Sequence, residues 1–215
     1  MRLHLGCGQV YLEGYTNIDF PLNEHTVQEK TVADKHADLT TLRHDSESIE
    51  EVRLHHTYEH FIRPQALALL ASWHSWLKMG GRLHIEVPDF DATARLVLSR
   101  FTNDHDRKVG LRHIFGSNEA PWATHYEGWS QKRLVEVFTL FGFAIEKTEK
   151  TSYLATRNIT VIGVKDKRTP PKKELTEYAK TYLRGFMVDD SEFETKLLHI
   201  WLDQFSAQLA RTIAR

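Results

Sequence analysis

The sequence predicts a doubly wound α/β domain: a mostly parallel sheet with an antiparallel strand at one edge, followed by a C-terminal helical appendage. Three observations carry this. Short apolar stretches alternate with segments of helical periodicity through most of the chain. The last two strand-like stretches, 144–151 and 158–164, have no helical segment between them, which suits an antiparallel pair. A basic, proline-broken run at 165–173 then separates the domain, 1–164, from two helical segments within 174–215.

Taken in order, residues 3–5 read as a short buried strand that enters the turn Gly6-Cys7-Gly8. A short turn at 11–14 leads to a second strand, 16–19, which ends on Asp19 and Phe20. Residues 21–35 are polar and poorly patterned, so a loop is expected, with a short third strand near 31–33. Asp38 and Leu39 follow as a strand end running into a helical turn. A strand is predicted over 49–55. Pro64 opens a helix whose Leu67, Leu70, Trp73 and Leu77 recur at helical spacing until Gly80-Gly81 stops it. Residues 82–87 alternate like a strand, and 91–101 read as a helix. Residues 102–130 read as a long irregular lid, a type of loop that is usually functional. A helix over 131–141 precedes the two closing strands. The last helical segment, 191–213, carries Phe193, Leu197, Trp201, Phe205, Leu209 and Ile213 four apart, an apolar stripe that must be covered. The expected cover is a second copy of the chain, or else the chain's own sheet.

Composition bounds the function. At 215 residues, 41% hydrophobic and 27% charged, the chain is an ordinary globular sequence long enough for one sizeable domain. Its 28 basic and 29 acidic residues give a net charge of −1, which offers no global attraction for nucleic acid. One cysteine, Cys7, excludes an internal disulfide and suits a reducing compartment. No apolar run reaches the roughly 20 residues of a membrane span, and no signal-peptide pattern opens the chain, so a cytoplasmic location is expected.

Gly6 and Gly8 can let backbone approach a ligand where a Cβ would interfere. Asp19, on the next strand, is placed to accept hydrogen bonds from both hydroxyls of a ribose. Cys7 has no charged neighbour that favours a thiolate and is read as a small residue that fits. Asp89 and Asp91 either meet substrate or cap the helix that follows. His56-Thr57-Tyr58-Glu59-His60 spells H-x-x-E-H, but it starts where a strand ends rather than on a helix, which argues against a zinc-protease site.

Taken together, Leu-His-Leu-Gly-Cys-Gly (3–8), Gly-Tyr-Thr-Asn-Ile-Asp (14–19), Ala-Asp-Leu (37–39), His-Thr-Tyr-Glu-His-Phe (56–61), Leu-Lys-Met-Gly-Gly-Arg-Leu (77–83) and Val-Pro-Asp-Phe (87–90) resemble the class I S-adenosylmethionine-dependent methyltransferases. The nearest likeness is to a small bacterial-type branch often associated with glycan biosynthesis. The resemblance covers 1–164 and implies a Rossmann-like fold with S-adenosyl-L-methionine as cofactor. It implies that Leu5, Gly6, Cys7 and Gly8 pass the methionine part over the first strand. Asp19 and Phe20 would hold the ribose, Asp38 and Leu39 the adenine, and His55 and His56 would lie under the sulfonium. The chain departs from the pattern at His4, where many relatives carry an acid, and at Val10, where a third glycine is common. It also begins at the first strand, without covering N-terminal helices, a role the C-terminal helices are expected to take. The 56–60 segment is similar to a Glu-x-x-Glu-His stretch that binds a divalent ion in quinone-biosynthetic O-methyltransferases, with His56 in place of the first acid. Whether a metal binds at His56, Glu59 and His60, or Glu59 and His60 only anchor the following helix, is open at this stage.

The resulting expectation is methyl transfer to a hydroxyl of a small-molecule or glycan-like acceptor. His125 in the lid, beside Trp122, Tyr126 and Trp129, is the first candidate for general base, with His56, Glu59 and His60 as further catalytic candidates. A packing histidine is the plain alternative for His125. A non-enzymatic module of the same fold, assembling through its C-terminal helices, is the rival reading, with nitrogen methylation a third. No nucleic-acid partner is expected.

Overall fold

The computed structural model describes residues 1–21 and 30–214. They form one seven-stranded sheet ordered β3-β2-β1-β4-β5-β7-β6. Its strands are β1 (Arg2–Leu5), β2 (Thr16–Asp19), β3 (Lys35–His36), β4 (Ile49–His55), β5 (Leu77–Pro88), β6 (Phe143–Tyr153) and β7 (Thr156–Lys165). The first five run parallel, and β7 runs antiparallel to both β5 and β6. This is the doubly wound, Rossmann-like architecture with an antiparallel edge that the sequence predicts.

Alternation along the strands sets the two faces of the sheet. Leu3, Leu5, Val52, Leu54, Leu83, Ile85, Ile159 and Val161 point into one core and are almost wholly buried. In register on the other face lie His4, Arg53, His84 and Ile162. The core face is covered by α1 (Arg63–Trp76), which is apolar nearly all round because it lies between the sheet and a further helical layer. Helix α2 (Phe90–Leu98) and α3 (Asp104–Phe115) pack on the start of β7, and α4 (Gln131–Leu140) packs on β6 and β7.

Several local expectations are corrected. The third strand is Lys35–His36 rather than 31–33, and part of the loop read over 21–35 lies outside the described residues. Helix α1 ends at Trp76, and Gly80-Gly81 form a bulge inside β5, where the register against β4 shifts. Asp89 caps α2 by accepting a hydrogen bond from Ala92 N–H and pairs with Lys150 at 3.0 Å, so its work there is structural. The lid is not irregular throughout: α3 occupies its first half, capped by the Asn103 side chain.

The C-terminal helices, α5 (Lys172–Arg184) and α6 (Glu192–Thr212), dock on the chain's own α1 and not on the ligand end of the sheet. Trp76 Nε1 donates to Thr212 O at 2.9 Å, and the Ser72 and Thr212 hydroxyls are 2.7 Å apart. The buried face of α6 is Leu198, Phe205, Gln208, Leu209 and Thr212; Phe193 is 72% exposed. Leu175, Ala179, Leu183, Phe205 and Leu209 belong to the same core as the sheet. The stripe that motivated a homodimer is thus largely used within the chain. Near the ligand end the tail reaches Thr40, whose carbonyl accepts from Gln208 Nε2 at 2.7 Å.

Candidate active site

Two adjoining cavities open at the carboxyl ends of the parallel strands, where ligands bind in folds of this kind. The first, about 410 Å³, is lined by Gly6, Gly8, Asp19, Phe20, Asp38, Leu39, Thr40, His56 and Thr57. Gly6 has φ +66°, and a Cβ there would stand 2.3 Å from Thr57 Oγ1, so only glycine fits. Gly8, at φ +53°, has no atom within 4 Å of where its Cβ would stand. Asp19 organises the turn: Oδ2 accepts from Gly8 N–H at 2.7 Å, and Oδ1 accepts from Phe20 N–H at 2.8 Å. Asp38 Oδ1 accepts from both the N–H and the hydroxyl of Thr40, which tightens the turn beneath Leu39.

Not every expected residue faces this space. Leu5 is fully buried in the core and brings only its backbone to the turn. Cys7 is buried with its sulfur toward Gly8 O, and burial first, then Asp19, pushes the thiol up to about 12, which excludes a nucleophilic role. His55 lies on the second face of the sheet, where its Nε2 accepts from Arg53 Nε at 2.9 Å and its ring stands beside those of His4 and His84. Only His56 of the adjacent pair lines the cavity. His56 holds φ +51°, a conformation costly for a residue with a Cβ, and its N–H is tied to Glu86 O. His4, the departure from the family pattern, bonds Asn17 Oδ1 at 3.0 Å as a buried structural pair.

The second cavity, about 370 Å³, is lined by His60, Arg112, His113, Trp122, His125 and Thr156, among others. His60, Glu119 and Trp122 line both cavities and so form the seam between them. The half-lid after α3 is fastened here by its backbone. His125 N–H donates to Phe115 O, and Tyr126 N–H donates to Glu59 O at 2.9 Å. That fastening carries His125 to the Tyr58–His60 turn, which follows β4.

Next to His60 in the chain, Glu59 is 1% exposed, and neither of its carboxylate oxygens has a hydrogen-bond partner among the described residues. Three imidazoles surround it. His125 Nε2 is 3.9 Å and His56 Nδ1 3.4 Å from Oε1, while the His60 and His125 rings stand 4.7 Å apart. Burial would raise the Glu59 carboxyl, but His56, then His60 and His125, hold it below its ordinary range. Burial also acts against the His56 imidazolium, yet Glu59 and Glu86 outweigh it and raise His56. For His125, burial dominates over the pull of Glu59 and lowers it, so the ring is neutral at pH 7. Its Nδ1 lies 3.1 Å from His113 O, which leaves the Nε2 lone pair free. Thr57, Arg112, Glu119 and Thr40 escaped the sequence reading. Adjacency to His56 and to Leu39 was the only signal for Thr57 and Thr40, and none pointed to Arg112 or Glu119.

No protein-family model matches the chain, and no curated protein matches it in sequence. Solved structures do match. A Listeria monocytogenes protein provisionally described as an S-adenosylmethionine-dependent methyltransferase superposes with a TM-score of 0.54 at 12% identity, over 77% of this chain and 91% of that one. A Mesorhizobium loti S-adenosylmethionine-dependent methyltransferase gives 0.51 at 14% identity, over 76% and 90%. The fold is shared with these methyltransferases. A Burkholderia thailandensis 1,6-didemethyltoxoflavin N1-methyltransferase, solved with that compound and S-adenosylhomocysteine, gives 0.50 at 12% identity, over 77% and 71%. At such identities the likeness is one of fold. Among the described residues, no helix is long and apolar enough to cross a membrane.

Proposed function

We propose that the chain transfers a methyl group from S-adenosyl-L-methionine to a hydroxyl of a small-molecule or glycan-like acceptor. The observation that carries this reading is the pair of cavities sharing His60, Glu119 and Trp122. The first has what the cofactor needs: a glycine turn that backbone can present, a ribose-facing Asp19, and Asp38 with Leu39 for the adenine. The second holds a neutral imidazole with a free lone pair beside a buried carboxylate. When bound, the cofactor supplies an electrophilic methyl on a sulfonium. The protein's part is to orient the acceptor across the seam and take up the hydroxyl proton. His125 Nε2 is the base in this reading, with Glu59 stabilising the imidazolium that results. Trp122 offers a face for a sugar or ring. A neighbour of the same fold that holds a small heterocycle and S-adenosylhomocysteine supports a small-molecule acceptor.

Calorimetry with S-adenosylhomocysteine tests the cofactor assignment: one site per chain is expected, and no binding would remove the reading. With an acceptor found by scoring S-adenosylhomocysteine release, His125→Ala should lower turnover by about 10²–10⁴-fold and leave S-adenosylhomocysteine affinity intact. Cofactor binding without turnover on sugar or phenolic hydroxyls would instead favour a binding module or a nitrogen acceptor.

A further inference from the structure

The Glu59 carboxylate is met by ion pairs alone: His56 Nδ1 at 3.4 Å and His125 Nε2 at 3.9 Å both approach Oε1, and neither oxygen has a hydrogen bond among the described residues. A buried carboxylate without hydrogen bonds is unfavourable unless a charge compensates it. His56 supplies one charge at 3.4 Å but stands 42% exposed at the mouth and leaves Oε2 unmet. The two imidazoles on the inner side are arranged differently. His60 Nδ1 lies 3.1 Å from Thr124 O, and His125 Nδ1 lies 3.1 Å from His113 O. A carbonyl can only accept, so both Nδ1 atoms carry a hydrogen, and in the neutral ring that tautomer leaves Nε2 as the atom able to ligate. Backbone carbonyls that fix the tautomer in this way are the usual outer support of metal-ligating histidines.

From this geometry we infer that Glu59, His60 and His125 bind one divalent first-row transition-metal ion at the seam of the two cavities. One ligand atom from each of the three lies within 4.8 Å of the others. Ligands about 2.1 Å from a shared tetrahedral ion stand about 3.4 Å apart, so small side-chain rotations close the site. Two imidazoles and a carboxylate suit zinc-like ions rather than magnesium or calcium, which prefer all-oxygen shells. The set differs from the one the sequence suggested, because His125 replaces His56 and comes from the far side of the lid.

The inference rests on the methyl-transfer reading only for its use. The ion's remaining coordination positions would face the acceptor cavity, where it would lower the proton affinity of an acceptor hydroxyl. The hydroxyl proton then leaves to solvent water, and the oxygen lone pair forms the O–CH3 bond as the S–CH3 bond breaks. His125 Nε2 is in that case a ligand and not the base.

The test uses the full chain after dialysis against a chelator, with Co²⁺ as probe, read by its visible absorption and by calorimetry. One saturable Co²⁺ per chain is expected. Glu59→Gln and His125→Gln should each weaken it by about tenfold or more. His199→Ala, on the exposed side of α6, should not weaken it. Absent saturable binding, or binding unchanged in both variants, overturns the site. Circular dichroism on each variant, together with retained S-adenosylhomocysteine affinity, separates loss of the site from loss of the fold. Co²⁺ binding without S-adenosylhomocysteine binding would keep the metal site and remove the methyl-transfer reading. S-adenosylhomocysteine binding without Co²⁺ binding would remove the metal site and leave His125 as the base.

Discussion

Asp19 is the residue on which the first cavity turns. Its carboxylate holds the N–H groups of Gly8 and Phe20 at 2.7 and 2.8 Å, so it shapes the glycine turn and lines the first cavity, where the proposed function has it meet the ribose. Asp19→Ala should therefore weaken S-adenosylhomocysteine binding by about 1–3 kcal/mol, the range for a charge-assisted hydrogen bond. Calorimetry reads this directly, and an unchanged Kd would take Asp19 out of the site. At this scale the sequence was informative where the chemistry is local. Gly6, Gly8 and Asp19 sit on one turn and the strand beside it, and spacing alone brings them together. The Glu59–His125 pair was not legible, because it depends on Tyr126 N–H reaching Glu59 O, a contact between distant segments. His55 and His56 were indistinguishable in sequence. Strand alternation puts His55, the last residue of β4, on the face away from the core, and the positive φ of His56 turns the chain just past the strand so that His56 meets the cavity.

Among elements, strands and helices with strong periodicity were readable, and so was their parallel order. What failed was any boundary that tertiary context sets. Gly80-Gly81 resembles a helix stop, yet pairing with β4 draws the preceding residues into a strand and turns the glycines into a bulge. Helix α3 was hidden because its sequence, Asp-His-Asp-Arg-Lys-Val-Gly-Leu-Arg-His-Ile-Phe, carries little apolar periodicity and a glycine at its centre. That glycine, Gly110, is where α3 comes close to Val97 and Leu96, so a Cβ there would be 2.7 Å from Val97 Cγ2. In α6 the spacing of four suggested a stripe through Phe193 and Phe205, but the docked face runs through Leu198, Phe205, Leu209 and Thr212, in steps of seven, four and three that keep to one side of the helix. The two readings differ in a measurable way. Phe205→Ala should cost about 3–5 kcal/mol in urea unfolding, as for a buried aromatic. Phe193→Ala, at a site 72% exposed, should stay within about 0.5 kcal/mol. Equal losses at both positions would restore the stripe and with it the case for a dimer.

For the molecule as a whole, the most general consequence of the fold is how it holds its histidines. His84 and His55 lie on the polar face of the sheet around Arg53, and burial, followed by Arg53, depresses them to about 3 and about 4 respectively. His74, enclosed between Gly142 O and the Thr169 hydroxyl, is brought down to about 4 by burial and then by Lys165. In the unfolded chain these rings titrate near 6.5. The folded state therefore binds fewer protons than the unfolded state between about pH 4 and 6.5, and stability rises with pH across that window. Above about 6.5 the contribution is complete. As pH falls it is lost, until the rings protonate in the fold as well, near 4 for His55 and His74 and near 3 for His84. Each group contributes on the order of 1–3 kcal/mol, with the lower end for the rings that keep contact with solvent. Urea midpoints measured from pH 7.5 to 4 should decline steadily below about 6.5, and His84→Gln should make that decline shallower. A midpoint that stayed flat down to pH 4.5 would mean that these rings are charged in the fold, and the polar face around Arg53 would need a different electrostatic account.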